Sequence, residues 1–443
     1  MQFQIQNTTF ATECLAVYFG GGTAIRIRQI LETHQHINYN SMKRLFFVLT
    51  IFVNAFFISQ LNAQEASRQS MGDEDYYSTK LLFEDCKSFS EGFAAVKDEG
   101  EWFFVDRSFH LALLENYNYL VEGGFEDVQP FSEGFAAVKK GGRWGYIDST
   151  GDMFLDNVFD KVRPFNKGYA ILYLDGKCGM INTEMNFVVP FDYDNVYLWS
   201  DGDVAIVEKN GQYGIYDLSN NSVIFNEYSH NVIAFSEGLA VVSNSRDLLD
   251  PNLKNGYIDK TGRLIIPAQF DYANKFSEGL AAVKKGNKWG FINHQGEIVI
   301  PCKYDKARDF SDGVAAVKLN NRYGLIDKEG NIVLPFEYEE IGSVKDGVTY
   351  FWENGKIGFI DIRGNVIAPA IYDAAAKTFS DGLAGVVKDR KFGFVDRQGN
   401  VVVPPIFDYA TDYSEGFAVV KKGGRAGFIS TNGEVLYDWF NAE

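Results

Sequence analysis

Residues 279–310 read GLAAVKKGNKWGFINHQGEIVIPCKYDKARDF. Apolar runs at 280–283, 289–292 and 298–300 have strand length and are separated by residues that turn a chain. Between the first two runs stands Gly286-Asn287. The same place elsewhere holds Asn210-Gly211, Asn354-Gly355, Asp175-Gly176, Gly141-Gly142 and Gly423-Gly424, dipeptides that supply the positive φ angles of a tight primed hairpin. The second turn takes the form D-x-x-G at Asp148 to Gly151, Asp259 to Gly262, Asp327 to Gly330, Asp361 to Gly364 and Asp396 to Gly399, which suits a type I turn closed by a left-handed glycine. The third run meets Pro301, and its counterparts meet Pro190, Pro267, Pro335, Pro369 and Pro404, where a missing N–H is expected to end strand pairing. The stretch predicts a three-stranded antiparallel meander. Residues 301–310, with Tyr304, Ala307 and Phe310, are left as a candidate fourth element.

Outward from this stretch the unit recurs. The motif F-S-E/D-G places glycines at Gly92, Gly134, Gly238, Gly279, Gly313, Gly382 and Gly416, and weaker copies add Gly168, Gly202 and Gly347; successive spacings are 42, 34, 34, 36, 41, 34, 34, 35 and 34. Downstream comes an aromatic-glycine pair, at Trp144-Gly145, Tyr213-Gly214, Trp289-Gly290, Tyr323-Gly324 and Phe392-Gly393, with Cys178-Gly179, Asn255-Gly256, Ile357-Gly358 and Ala426-Gly427 as weaker copies. These recurrent residues are read as structural. A sheet of about 34 residues cannot bury a face alone and must stack on its neighbours. The expected fold is all-β, a tandem array of about ten three-stranded units in an open, solenoid-like stack. A β-propeller is the alternative, disfavoured because blades usually take about 40 to 45 residues for four strands and number about 4 to 8.

The triplets Lys288-Trp289-Gly290 and Arg143-Trp144-Gly145, with the spacing around them, resemble the WG-repeat (KWG-repeat) family of bacterial envelope and secreted proteins over roughly residues 83–440. The resemblance implies a β-rich tandem array, usually exported, with no defined activity. Trp102-Phe103 departs from it by lacking the glycine, and the third, fourth, fifth and eighth units are degenerate.

Ahead of the array, Met42-Lys43-Arg44, an apolar run over 45–58 and the exit Leu61-Asn62-Ala63 have the three parts of a signal peptide. A membrane anchor would need about 20 uninterrupted apolar residues, and Asn54, Ser59 and Gln60 interrupt this run. The expected organisation is residues 1–41 untranslated or unstructured, 42–63 a signal peptide, 64–82 a linker and 83–443 the repeat array. That order implies a periplasmic or secreted protein with no stable membrane span after cleavage. A formal net charge of -17 argues against nucleic acid and anionic membranes as partners. Cys86, Cys178 and Cys302 fall in separate repeats without metal-ligand spacing, so no disulfide framework is expected.

The D-x-x-G aspartates are read as turn caps, with Ca²⁺ as the alternative; the alternating acids of an EF-hand loop are missing. One acid per repeat, at Glu91, Glu133, Glu237, Glu278, Asp312, Asp346, Asp381 and Glu415, forms a ladder, and Arg143, Lys177, Lys288, Arg322, Lys356, Lys391 and Arg425 form a second that would offset the first if the two lie side by side. The strand aromatics Trp289, Phe291, Phe310, Tyr323 and Phe394 are read as core, or as sugar platforms if exposed. His110, His230 and His294 sit in no catalytic motif, and no carboxylate pair stands out for glycoside hydrolysis. No cofactor or metal is expected.

Two insertions break the 34-residue rule. One lies within 107–124 and carries Leu111, Leu114, Tyr117 and Tyr119; the other spans 243–255 and carries Arg246, Asp247 and Asp250. Insertions in a repeat map to loops, often on the binding face, so both are candidate binding loops. The function this supports is a non-enzymatic exported scaffold that binds protein or peptide; the alternatives are a glycan-binding module and a hydrolase with an unrecognised site. If 42–63 is a processing signal, the exported protein begins at Gln64. N-terminal mass analysis checks this, and an exported chain that still starts at Met1 refutes it.

Overall fold

A computed structural model describes residues 83–109, 124–198, 203–225, 235–245, 249–250 and 252–435, together with the backbone of Ala16–Val17 and Ile25–Arg26. The chain divides into two compact units, one of Met1–Tyr76 with Tyr437–Glu443 and one of Tyr77–Leu436. In the first, Ala16–Val17 pairs antiparallel with Ile25–Arg26. The expected signal peptide and linker, Leu111, Leu114, Tyr117, Tyr119, Arg246 and Asp247 lie outside the described residues. No described helix is long and apolar enough to cross a membrane.

The second unit is a closed ring of ten small antiparallel sheets, a ten-bladed β-propeller; eight described sheets are four-stranded, the first and tenth three-stranded. This corrects the expectation of an open stack of three-stranded units. In the sixth unit the strands are Tyr272–Ala273, Ala281–Lys285, Lys288–Ile292 and Ile298–Tyr304, in that order across the sheet. The seventh unit then opens with Lys306–Ala307. One bent residue, Asp305, is the whole connection between blades. Because no residues are used for a crossing loop, about 34 suffice for four strands, and the length argument against a propeller fails.

The proline expectation is also corrected. Pro301 lies inside the fourth strand, as do Pro190, Pro267, Pro335, Pro369 and Pro404 in theirs. Pairing of Trp289 with Tyr304, Phe291 with Ile300 and Ile292 with Ile298 leaves a register shift, and Pro301 falls in that bulge, where no ladder N–H is required. The shift also explains the glycine of the aromatic-glycine pair. A Cβ on Gly290 would stand 2.5 Å from the Ile300 carbonyl oxygen and 2.7 Å from the Cys302 nitrogen, and on Gly145 2.3 Å from the Leu155 oxygen.

The core lies between sheets. Ala282, Phe291, Ile300 and Tyr304 of the sixth unit form one buried cluster with Phe310, Ala315, Val317 and Ile326 of the seventh. The ring shuts in the same way, as Cys86, Phe89, Val96 and Val105 of the first unit pack on Val419, Ala426 and Phe428 of the tenth. Among the described residues the tenth sheet has three strands. Val435 pairs with Ile429 at one end of its outer edge and Phe83 with Ala426 at the other. Phe83 exchanges both backbone hydrogen bonds with Ala426, at 3.0 and 2.7 Å. Residues near the two ends of the array therefore share one edge strand.

Gly290→Ala forces a methyl group into backbone atoms that cannot step aside. It is expected to destabilise the ring by about 1 to 3 kcal/mol or more, read as a lower midpoint in equilibrium denaturation; an unchanged midpoint refutes the close-approach account.

Candidate functional site

The F-S-E/D-G motif is a two-residue hairpin turn. Ser90 and Phe93 bridge, with Glu91 at φ 55° and Gly92 at φ 87°. The acid thus sits in a conformation that side-chain-bearing residues seldom adopt. Its compensation lies in the next unit: the Glu91 carboxylate accepts the N–H of Glu133 at 2.6 Å and of Gly134 at 2.8 Å. Glu133 does the same for Gly168, Glu278 for Gly313, Asp312 for Gly347 and Asp381 for Gly416. Glu415 then closes the circuit on Glu91 and Gly92, at 2.6 and 2.9 Å. Burial opposes ionisation of Glu415, yet the Arg107 guanidinium and the two N–H groups hold its carboxyl below the usual range. A second circuit runs beside it, with the Ser90, Ser132, Ser277 and Ser311 hydroxyls donating to the carbonyl one unit on and Ser414 donating to Phe89 at 2.7 Å.

In an antiparallel meander alternate connections lie at opposite ends, so the basic ladder stands at the other end of the strands. It does not offset the acid ladder. Lys177 binds Asp194 at 2.7 Å and Lys288 binds Asp305 at 2.5 Å; Arg143, Lys356 and Lys391 pair likewise with Asp160, Asp373 and Asp408. Each of these aspartates occupies the corner between blades. The second Asp194 oxygen accepts the Asn210 N–H at 2.7 Å in the following hairpin, so one carboxylate ties two blades. The Lys177 ammonium, then the Asn210 N–H, hold the Asp194 carboxyl below its ordinary value, and Lys288 does the same for Asp305.

The D-x-x-G aspartates spend their lone pairs in their own turns. Asp327 accepts the N–H of Glu329 and Asn331 through one oxygen and the Asn331 amide through the other. Among the described residues no group of His, Cys, Asp and Glu is arranged to hold a metal. Phe291, Phe310, Tyr323 and Phe394 are buried, while Trp144, Trp289 and Phe392 are half-buried. His294 stacks on Phe276 at 4.2 Å with Nε2 3.2 Å from Glu237. His110 and His230 lie outside the described residues.

One junction breaks the pattern. In the third unit the motif reads Phe165-Asn166-Lys167-Gly168, so neither the serine nor the acid that reaches the next unit is present. An open pocket of about 560 Å³ lies there, lined by Arg163, Phe165, Asn166, Tyr169 and Ile171 of the third unit and by Tyr197 and Leu198 of the fourth. Burial, then Tyr213 and Glu208, push the Tyr197 hydroxyl up to about 12, so it stays a hydrogen-bond donor. The lining offers aromatic faces, an amide, two phenols and one guanidinium. These residues were not singled out from the sequence, although the degenerate motif at 165–168 was the available signal.

The insertion at 243–255 extends the central hairpin of the fifth unit. Asn244 and Lys254 add a rung beyond the strands, the Asp250 carboxylate accepts the Asn252 N–H at 2.8 Å, and Leu249 is 89% exposed.

The sequence profile described as "WG containing repeat" matches residues 79–102, 118–144, 144–178, 179–213, 256–289, 289–323, 323–356, 357–392 and 392–425. No curated protein matches the chain. Among solved structures, a eukaryotic initiation factor is similar over 77% of this chain and 94% of its own, at 11% identity and TM-score 0.47. Porphyromonas gingivalis dipeptidyl peptidase 4 is similar over 82% of this chain and 61% of its own, at 9% identity and TM-score 0.37. Kluyvelomyces marxianus Hsv2 is similar over 64% of this chain and 99% of its own, at 12% identity and TM-score 0.32.

The corner aspartates carry a pH dependence. The folded pKa values of Asp194, Asp305, Asp373 and Asp408 are depressed, chiefly by the lysine each one holds, so their contribution is present above the ordinary carboxylate range and is lost as pH falls. The thermal midpoint should hold from neutrality to about pH 5 and drop below about pH 4. Asp305→Asn should lower the neutral-pH midpoint and shrink the acid-induced drop; melts of both proteins across pH check this.

Proposed function

We propose that this chain, which belongs to the WG-containing repeat family, is a non-enzymatic exported scaffold that binds a peptide segment of a protein partner at the junction of its third and fourth units. The pocket there carries the reading. Its volume lies in the range of about 300 to 1,000 Å³ usual for ligand sites. Its aromatic walls suit an apolar or aromatic side chain, and Arg163 suits a carboxylate beside it, since a planar guanidinium can hold both oxygens. At the other junctions where the motif's serine and acid bonds are described, such as Ser90 with Glu91 and Ser277 with Glu278, they run from blade to blade. Export rests on the signal at residues 42–63. Burial of Phe291, Phe310, Tyr323 and Phe394 favours this reading over sugar stacking on those four side chains.

A second reading places the partner on the hairpin at 243–255, because Leu249 stands exposed on a hydrogen-bonded base. One experiment addresses both: a pull-down from envelope extract with the wild-type chain, with Arg163→Ala/Tyr169→Ala, and with residues 245–253 trimmed to a two-residue turn, which keeps the Ser243 and Asn255 strand ends and the Lys254 pair with Asp271. The pocket variant is expected to lose its partner. The trimmed chain is expected to keep its thermal midpoint, because the ring does not use the loop as core. If the pocket variant retains the partner and the trimmed chain loses it, the site moves to the hairpin.

A further inference from the structure

One row of positions recurs in the ring without being fixed by it. In every unit but the fifth, the first residue of the first strand lies directly opposite a residue near the end of the second, and the pair varies around the ring, the ordered pairs Asp with Lys and Tyr with Lys each occurring twice. It is Asp85 with Lys97 and Asp127 with Lys139 in the first two units, so charge is balanced there. In the third it is Lys161 with Tyr173, the ammonium lying over the ring at 5.4 Å. In the fourth it is Asn195 with Glu208, hydrogen-bonded at 2.9 Å, and in the ninth Ala374 with Val387. In the tenth, Tyr409 faces Lys421, which pairs with Asp85 at 2.6 Å.

The sixth and seventh units differ from these. There the pairs are Tyr272 with Lys284 and Lys306 with Lys318. Lys306 and Lys318 are like charges directly opposite each other, an arrangement that costs stability in a sheet. No described carboxylate forms an ion pair with Lys284, Lys306 or Lys318. The acids nearby are committed: Asp271 to Lys254 and the Gly286 N–H, Asp305 to Lys288, and Glu340 to Arg308. Lys284 lies in the field of Asp271, which already holds Lys254, and the Lys318 ammonium lies over the Tyr323 ring at 5.5 Å, so none of the three has a described carboxylate ion pair of its own in a chain of net charge -17. In the same row, Tyr272 is 55% exposed and its ring centroid stands 5.5 Å from that of half-buried Trp289.

We propose that this sector of the ring binds an acidic polysaccharide, with uronate carboxylates on Lys284, Lys306 and Lys318 and a pyranose face against Tyr272 and Trp289. The like-charge pair of Lys306 and Lys318, with Lys284 beside it and no described carboxylate ion pair for any of them, calls for an anion, and exposed Tyr272 against half-buried Trp289 supplies a flat apolar surface for a sugar ring. An acidic peptide fits less well. Backbone pairing with a peptide needs a long free strand edge, whereas the first strand here has two residues and the fourth carries Pro301 or Pro335. The site is separate from the pocket of the third and fourth units, and its failure leaves the peptide reading intact.

The test measures binding of the full chain to polygalacturonate, with neutral dextran and polyglutamate as comparison probes. The wild-type chain is expected to bind polygalacturonate, more weakly as salt rises, and to bind dextran and polyglutamate at least tenfold less well. Lys284→Gln/Lys306→Gln/Lys318→Gln should lose at least tenfold in affinity for polygalacturonate, and Tyr272→Ala several-fold. Should the triple variant fail to fold, Lys306→Gln alone serves, because it relieves a like-charge pair and should be at least as stable as wild type while binding several-fold more weakly. Equal binding of polyglutamate would mean an acidic peptide site and overturn the proposal, as would absent binding of polygalacturonate or unchanged affinity in a folded lysine variant.

Discussion

No sheet in this protein possesses a core of its own. Each has apolar side chains on both faces and buries them only by lying between two others, so Phe291 and Tyr304 of one unit depend on Phe310, Val317 and Ile326 of the next. An open stack built this way would leave an apolar face bare at each end and would need a cap for both. A ring removes the two bare faces by placing them against each other. That is what Phe89 and Val96 do against Val419 and Phe428, with the Phe83 to Ala426 bridge as the clasp.

Side-chain packing alone is tolerant of sliding, and the polar circuits set the register. At one end of the strands the carboxylates of Glu91, Glu133, Glu237, Glu278, Asp312, Asp381 and Glu415 grip the turn of the following unit, and their left-handed backbone is the strain that this bond offsets. At the other end a corner aspartate holds a lysine from the blade behind and a hairpin N–H from the blade ahead. Deleting one such group should be felt in two blades. Where both the serine and the acid are replaced, at Asn166 and Lys167, the junction has a pocket, so the same bonds that close the ring also decide where it is open.

The ring separates positions that the fold dictates from positions that it leaves free. Gly290 has no room for a methyl group, and the turn glycines take backbone angles that other residues avoid. The row running through Lys284 and Lys306 accepts acids, bases, amides and alkyl groups in successive units. Free positions of this kind, together with the broken junction and the inserted hairpin, are where recognition chemistry can be placed without disturbing the bonds that close the ring.

Much of the architecture was legible from local chemistry. The hairpin dipeptides, the D-x-x-G turns and the 34-residue period each express a rule that acts over a few neighbouring residues, and they determined the β class, the unit count and the turns that join three of each unit's strands. The identity of the fourth strand, the place of Pro301 within it and the closure of the ring were decided by tertiary structure. Each depends on atoms far apart in the chain: a bulge against Gly290, a one-residue corner at Asp305 that makes 34 residues enough for four strands, and a bridge from Phe83 to Ala426 across more than 300 residues. The acid and base ladders were visible as periodic residues, but a period cannot say at which end of a strand a side chain stands. The pocket at Arg163 was equally out of reach, because a cavity is made by what neighbouring units fail to fill, and that is known only once they are packed together.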